Sequence, residues 1–321
     1  RKVDMAAKWI CHPGDDRETR LVPVFRRRFT IREGLFAARM TLSAHGVYEA
    51  ELNGTRISED RFTPGFTSYY DRIQKQEYDV TGLLAPGKNE WTVTVGDGWW
   101  RWNKNFGTTL ALYGTLELEY RDGTVERIET DESFDVETGP ILRTDLQKGE
   151  VYDARRAPGE FVPAVRCDRH TDGKLIETTG VPVREHERFP GRVFRDAAGR
   201  TVIDFGQNLA GYVAMTLRDT TPGQVIHLKH GEGLDLNGCF STANCDGGME
   251  EFQEVTYYCR GGDRESYQPH FAVFGFRYLL VEGIDPAKAE FTAVAVYSDL
   301  TQTGTFHCSD PNIDRLFENA L

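Results

Sequence analysis

Apolar and polar residues alternate at every second position over most of this chain, the period of strands that bury one face. Val24 opens a segment, 24–32, in which Phe25, Arg27, Phe29 and Ile31 share one side of the pleat. Met40, Leu42 and Ala44 repeat the pattern, and so do Tyr48, Ala50 and Leu52. The last run meets Asn53-Gly54, a strong hairpin signal because both residues tolerate positive φ. Asn53-Gly54-Thr55 also spells a glycosylation sequon, but the turn accounts for the same residues and we take the sequon as coincidence. Trp91, Val93 and Val95 follow the turn Ala85-Pro86-Gly87-Lys88-Asn89; Leu116, Leu118 and Tyr120 precede Asp122-Gly123. Short alternating strands punctuated in this way predict an antiparallel sandwich.

The pattern loosens over 155–200, where Pro158, Pro163, Pro182 and Pro190 fall, and a domain boundary is expected near 180. Strands resume at 201–205, at 211–218 and, after Pro222-Gly223, at 224–230, with others at 253–260, 275–282 and 289–298. The glycine-rich stretch 231–250 reads as a long surface loop. The fold class is therefore all-β: two antiparallel, jelly-roll-like β-sandwich domains, residues 1–180 and 181–304, with a short C-terminal helix. That helix begins at Asp310, a capping residue, with Pro311 at the first helical position. Ile313, Leu316, Phe317 and Ala320 recur along one of its faces. Such a short amphipathic helix needs a partner to bury its stripe, so 305–321 are expected to be a linker and the first helix of a further, α-helical domain.

Composition narrows the partners. Of 321 residues, 39% are hydrophobic and 12% aromatic, with a mean hydropathy of −0.49, enough for substantial cores. No run approaches the roughly 18 apolar residues of a membrane span. The net charge of −12 repels nucleic acid and anionic membranes, so neither is an expected partner. Cys11, Cys167, Cys239, Cys245, Cys259 and Cys308 are too dispersed for a disulfide framework. His227 and His230 lie close before Cys239, Cys245 and Cys259, which raises zinc, but strand residues three apart face opposite ways. Reduced structural thiols are the better reading. No leader is visible, which favours the cytoplasm slightly; Arg1 is not an initiator residue, so the compartment stays open.

Candidate chemistry concentrates in Gly96-Asp97-Gly98-Trp99-Trp100-Arg101-Trp102. Indole faces stack on the C–H faces of a pyranose while a carboxylate accepts hydroxyl hydrogen bonds. Asp97, Trp99, Trp100 and Trp102 are thus the candidate carbohydrate contacts, against the simpler reading that the rings anchor a loop. In Asp204-Phe205-Gly206-Gln207-Asn208-Leu209-Ala210-Gly211 the glycines are expected to turn the chain between two strands. His230 and Glu232 offer a possible acid/base pair. Nucleophile-elbow, phosphate-loop, zincin and EF-hand motifs are missing from the sequence. With 50 Asp and Glu residues, a hydrolytic carboxylate pair cannot be chosen from sequence.

Several stretches, in order, resemble the front half of bacterial α-L-rhamnosidases. They are Val47–Gly54, Thr63–Tyr69, Tyr78–Leu84, Val95–Trp100, Gly149–Arg155, Asp204–Gly211, Phe271 with Phe274–Tyr278, and Phe306–Pro311. The resemblance implies a galactose-binding-type sandwich, then a concanavalin-type sandwich, then an (α/α)6 barrel entered at Asp310. In that family the acid and base that hydrolyse terminal α-L-rhamnose with inversion lie in the barrel, so no catalytic residue is carried over here. Some relatives bind rhamnose with calcium through the N-terminal sandwich; the resemblance makes calcium possible but places no ligand. It implies an ancillary region that supports the missing catalytic domain. A stand-alone carbohydrate-binding module for rhamnose-containing glycans is the alternative. A third reading is a self-contained hydrolase working through Asp97 or Glu232.

Overall fold

Turn chemistry sets where each strand stops. Asn53 and Gly54 take φ of 54° and 76°, reversing the chain between the strands Val47–Leu52 and Thr55–Arg56. In the same way Gly123, at φ 82°, closes the hairpin of Ala111–Tyr120 on Val125–Glu129. The computed structural model describes residues 7–16, 18–101, 106–156, 159–167 and 173–320. Trp102, Pro158 and Leu321 lie outside the described residues.

Among the described residues, the first sandwich pairs a seven-stranded sheet with a six-stranded one. Leu35–His45 lies between Ala111–Tyr120 and Arg72–Asp79 in the first. In the second, Asp135–Thr138, Pro23–Ile31, Gly87–Gly96 and Val47–Leu52 are neighbours in that order. Their inward residues, including Phe25, Met40, Leu42, Leu52, Trp91, Val93 and Leu116, are buried, as the alternation requires. Trp91 meets the edge of Phe134 with ring centres 5.2 Å apart.

A ten-stranded sheet forms the second half. Its spine is a single strand, Thr201–Thr220, pairing with Phe274–Glu282 along its first half and Ala289–Ser298 along its second. The expected turn at 204–211 is not there. Asp204 pairs with Tyr278 and Leu209 with Phe276, so Phe205–Asn208 face Arg277 alone and form a wide bulge. Gly206, at φ 84°, bends the strand without ending it. Asp204 holds the bulge by accepting from the Gly206 N–H at 2.8 Å and from Arg277 through both its oxygens. Residues 231–250 contain only two short paired strands, Gly233–Leu234 and Phe240–Ser241.

The sheets interleave around the expected boundary. Asp135–Thr138 belongs to the first sandwich, whereas the hairpin of Ile141–Asp145 and Gly149–Asp153 adds to the ten-stranded sheet. The chain then returns, and Lys174–Glu177 lies parallel to Arg72–Asp79 at the edge of the first sandwich. The crossing leaves Gly149–Asp153 parallel to Glu254–Tyr258, so the otherwise antiparallel sheets contain two parallel pairs among the described residues. Val22, Val47 and Phe62, from the N-terminal part, pack into the core of the second half. The helix Pro311–Ala320 forms where predicted but buries no residue, and Leu316 remains 67% exposed. No helix of the described residues is long and apolar enough to cross a membrane.

Candidate functional site

The tryptophan loop sits at the seam of the two halves and is built inward. Gly96 ends the strand Gly87–Gly96, and a Cβ there would stand 2.5 Å from the Phe271 ring of the second half. Asp97 is buried, takes Arg20 and Arg101 as ion partners, and donates its backbone N–H to Thr144 Oγ1 at 2.8 Å. Arg101 also pairs with the buried Asp15. Trp100 is 1% exposed; its indole N–H donates to the Thr109 carbonyl and one face stacks on His45 at 4.1 Å. Trp9 covers the other side of His45 at 3.9 Å. Asp97 and Trp100 therefore present neither carboxylate nor ring face to a sugar. Trp99 is half-buried, touches both cores, and lies 6.0 Å from the exposed ring of Phe66. Trp102 lies outside the described residues.

The other sequence candidates separate. His230 is buried against Phe274 and Phe276, its Nδ1 2.9 Å from the Gln253 carbonyl, and burial lowers it to about 3. Glu232 accepts from Asn208 and Asn244. A neutral core histidine and a carboxylate engaged by two amides do not make an acid/base pair. Cys239, Cys245 and Cys259 form no disulfide. No three His, Cys, Asp or Glu of the described residues are grouped to hold a metal ion.

A constellation that the sequence did not single out lies between the halves. Glu49, on the outward face of Val47–Leu52, accepts from Arg56 at 2.9 Å, Arg61 at 2.8 Å and His270 Nδ1 at 2.8 Å. Arg61 also pairs with Glu185 and donates its backbone N–H to the Val183 carbonyl, both in the second half. Glu185 in turn accepts from Tyr212 and Gln268. Burial pushes the Glu49 carboxyl up, but His270, Arg56 and Arg61 outweigh it and hold the group at about 2. His270 is raised from its ordinary value because Glu49, and more weakly Glu150, overcome its desolvation. Glu150, fully buried, accepts the backbone N–H groups of His270 and Phe271 and the Tyr267 hydroxyl. Only the alternation of Glu49 and Glu51 with apolar neighbours hinted that these carboxylates share a sheet face.

Beside this network opens a cavity of about 400 Å³ lined by both halves. Glu49, Glu51, Thr92, Thr94 and Glu137 come from one side; Ile141, Tyr152 and His270 come from the other.

Comparison with known proteins places the whole arrangement. Residues 34–188 match the α-L-rhamnosidase N-terminal domain, and residues 195–297 match the bacterial α-L-rhamnosidase concanavalin-like domain. The chain belongs to the bacterial α-L-rhamnosidase family. An α-L-rhamnosidase of Streptomyces avermitilis is 34% identical over 301 residues, covering 88% of this chain and 29% of that protein. The crystal structure of the native α-L-rhamnosidase from Aspergillus terreus superposes with a TM-score of 0.87 at 30% identity, over 98% of this chain and 39% of that one. The Streptomyces avermitilis α-L-rhamnosidase complexed with L-rhamnose gives 0.86 at 32% identity, over 93% and 31% of the two chains. The chain thus spans about a third of the length of the curated rhamnosidases it matches, 29–37%.

Proposed function

We propose that these two domains are the non-catalytic N-terminal region of an α-L-rhamnosidase-type glycoside hydrolase, whose parent reaction is inverting hydrolysis of terminal α-L-rhamnose. Their work is to support and orient a helical catalytic domain. The observation that carries this reading is the pair of family-domain matches on a chain that covers about a third of its relatives. The exposed apolar stripe of Pro311–Ala320, with Ile313 and Leu316, supports it as a surface for helical packing. The test is release of the aryl alcohol from an aryl α-L-rhamnoside, by this chain and by a longer one extended through the expected barrel. Turnover by the longer chain alone is expected; turnover by the 321-residue chain would overturn the assignment.

A second reading, recognition of rhamnose-containing glycans, is favoured by the aromatic edge around Trp99. There Phe66 and Tyr70 are 56% and 60% exposed, offering flat faces that the buried Trp100 does not. Rhamnose affinity lost in Trp99→Ala, with an unchanged melting curve, is its expected signature.

A further inference from the structure

Two of the cysteines meet on the first sandwich, away from the seam. Cys11 ends the strand Ile10–Cys11, which lies between Ala111–Tyr120 and the edge strand Val165–Arg166 of the seven-stranded sheet. It is paired with Ala111 on one side and with Val165 on the other. The same register, carried one step further, sets Trp9 opposite Cys167, and the Cys167 N–H donates to the Trp9 carbonyl at 2.8 Å. Alternate residues of a strand share a face, so Cys11 and Cys167 are diagonal neighbours on one side of the sheet. With Ala111 they form a small buried cluster separate from both main cores, and Trp9 packs against it.

Neither cysteine is in a disulfide. A cavity of about 300 Å³ is walled by both, together with His12, Thr109 and Arg166, and gives a small oxidant a way in. Cys11 is the more accessible of the two, 7% exposed against 3%. Diagonal neighbours have Cα atoms about 7–8 Å apart, and a disulfide needs about 4.4–6.8 Å, so one strand has to move in by about 1 Å. Val165–Arg166 is the strand that can yield. It is outermost in its sheet, is paired over two residues, and leaves Val165 37% exposed. The other cysteines lie elsewhere: Cys259 in the core of the second half, Cys239 and Cys245 within 231–250, and Cys308 just before the terminal helix.

We propose that Cys11 and Cys167 form a redox-sensitive clasp, whose oxidation ties the N-terminal strand to the edge of the first sandwich. A hydroperoxide is the oxidant. The Cys11 thiolate attacks one peroxide oxygen, the O–O bond breaks with loss of hydroxide, and Cys11 becomes a sulfenic acid. The Cys167 sulfur then attacks Cys11 Sγ; the S–S bond forms and the sulfenic oxygen leaves as water. Two thiols lose two hydrogens while one hydrogen peroxide becomes two waters, and a dithiol reverses the bond by exchange. The loop so closed holds nearly the whole first sandwich, and a long closed loop restricts the unfolded chain most. The clasp also bears on the tryptophan loop, because Trp9 stacks on His45 and His45 on Trp100. It rests on the sandwich itself and not on the proposed function.

The test treats the full 321-residue chain with hydrogen peroxide, blocks the remaining thiols with N-ethylmaleimide, and reads the digest by mass spectrometry. A peptide joining Cys11 to Cys167 is expected, released by dithiothreitol, with a melting midpoint raised by about 5 °C in the oxidised chain. Cys167→Ser is expected to lose both the linked peptide and the shift, and to leave Cys11 as a sulfenic acid trapped by dimedone. Where that variant folds poorly the intact chain still decides. Its linked peptide must form from native protein and give way to mixed cysteine pairings when the same oxidation is run in urea. Absence of the linked peptide at every peroxide dose that leaves the chain folded would overturn the proposal. So would Cys11 halting at the sulfenic acid in the intact chain, or a Cys11–Cys167 bond that leaves the melting midpoint unchanged.

Discussion

A single hydrogen at the Gly96 α-carbon is what admits Phe271, whose ring would lie 2.5 Å from any Cβ placed there. Gly96→Ala is therefore expected to cost about 1–3 kcal/mol through overpacking, measured by urea unfolding. Phe271→Leu in the same chain should recover part of that loss, a coupling that two unrelated defects would not show. The Glu49–His270 pair makes a pH prediction. Glu49 is lowered from 4.5 to about 2 in the folded chain, so its contribution is present above pH 4.5 and lost as pH falls toward 2. His270 is raised above 6.5, so its contribution is complete below pH 6.5 and disappears as pH rises through the folded value. The pair thus stabilises most between about pH 4.5 and 6.5. His270→Gln should lose more stability at pH 5.5 than at pH 9, by about 1 kcal/mol once the partial exposure of the imidazole is discounted. Equal losses at the two pH values, by urea unfolding, would refute the ion pair.

Elements were largely legible because strand alternation reports one buried face. Val24–Ile31, Met40–Ala44, Tyr48–Leu52 and Trp91–Val95 all fall inside observed strands. Asn53-Gly54 turned the chain as expected, since its two positive φ values match the right-handed twist of the flanking strands. The bulge at Phe205–Asn208 was not legible. Glycine at positive φ serves a turn and a bulge alike, and only the partner strand, with Arg277 opposite four residues, distinguishes them. The setting of Trp100 was not legible for a related reason. An indole suits a sugar or a core equally well, and burial of Trp100 against His45 is a property of the assembled loop.

For the whole molecule, the hairpin Ile141–Asp153 is the decisive feature. It is threaded between strands of the first sandwich in sequence yet hydrogen-bonded into the second sheet in space. Neither half can unfold without stripping the other of strands or of Val22, Val47 and Phe62 from its core. A single calorimetric transition is expected, with van't Hoff and calorimetric enthalpies equal. Two resolved transitions would show that the halves are independent units joined by weak contacts.

The sequence by itself determined the strand periods, the hairpin turns, the terminal helix and the family. These depend on neighbours a few residues apart, or on short motifs kept in order along the chain. Tertiary structure alone decided the crossed hairpin, the bulge, the burial of Asp97 and Trp100, and the meeting of Glu49 with His270. Residues 49 and 270 are 2.8 Å apart in space, and no local pattern encodes a contact made only when two sheets close on each other. The period of a strand is written in its own residues; what lies across from its outward face is not.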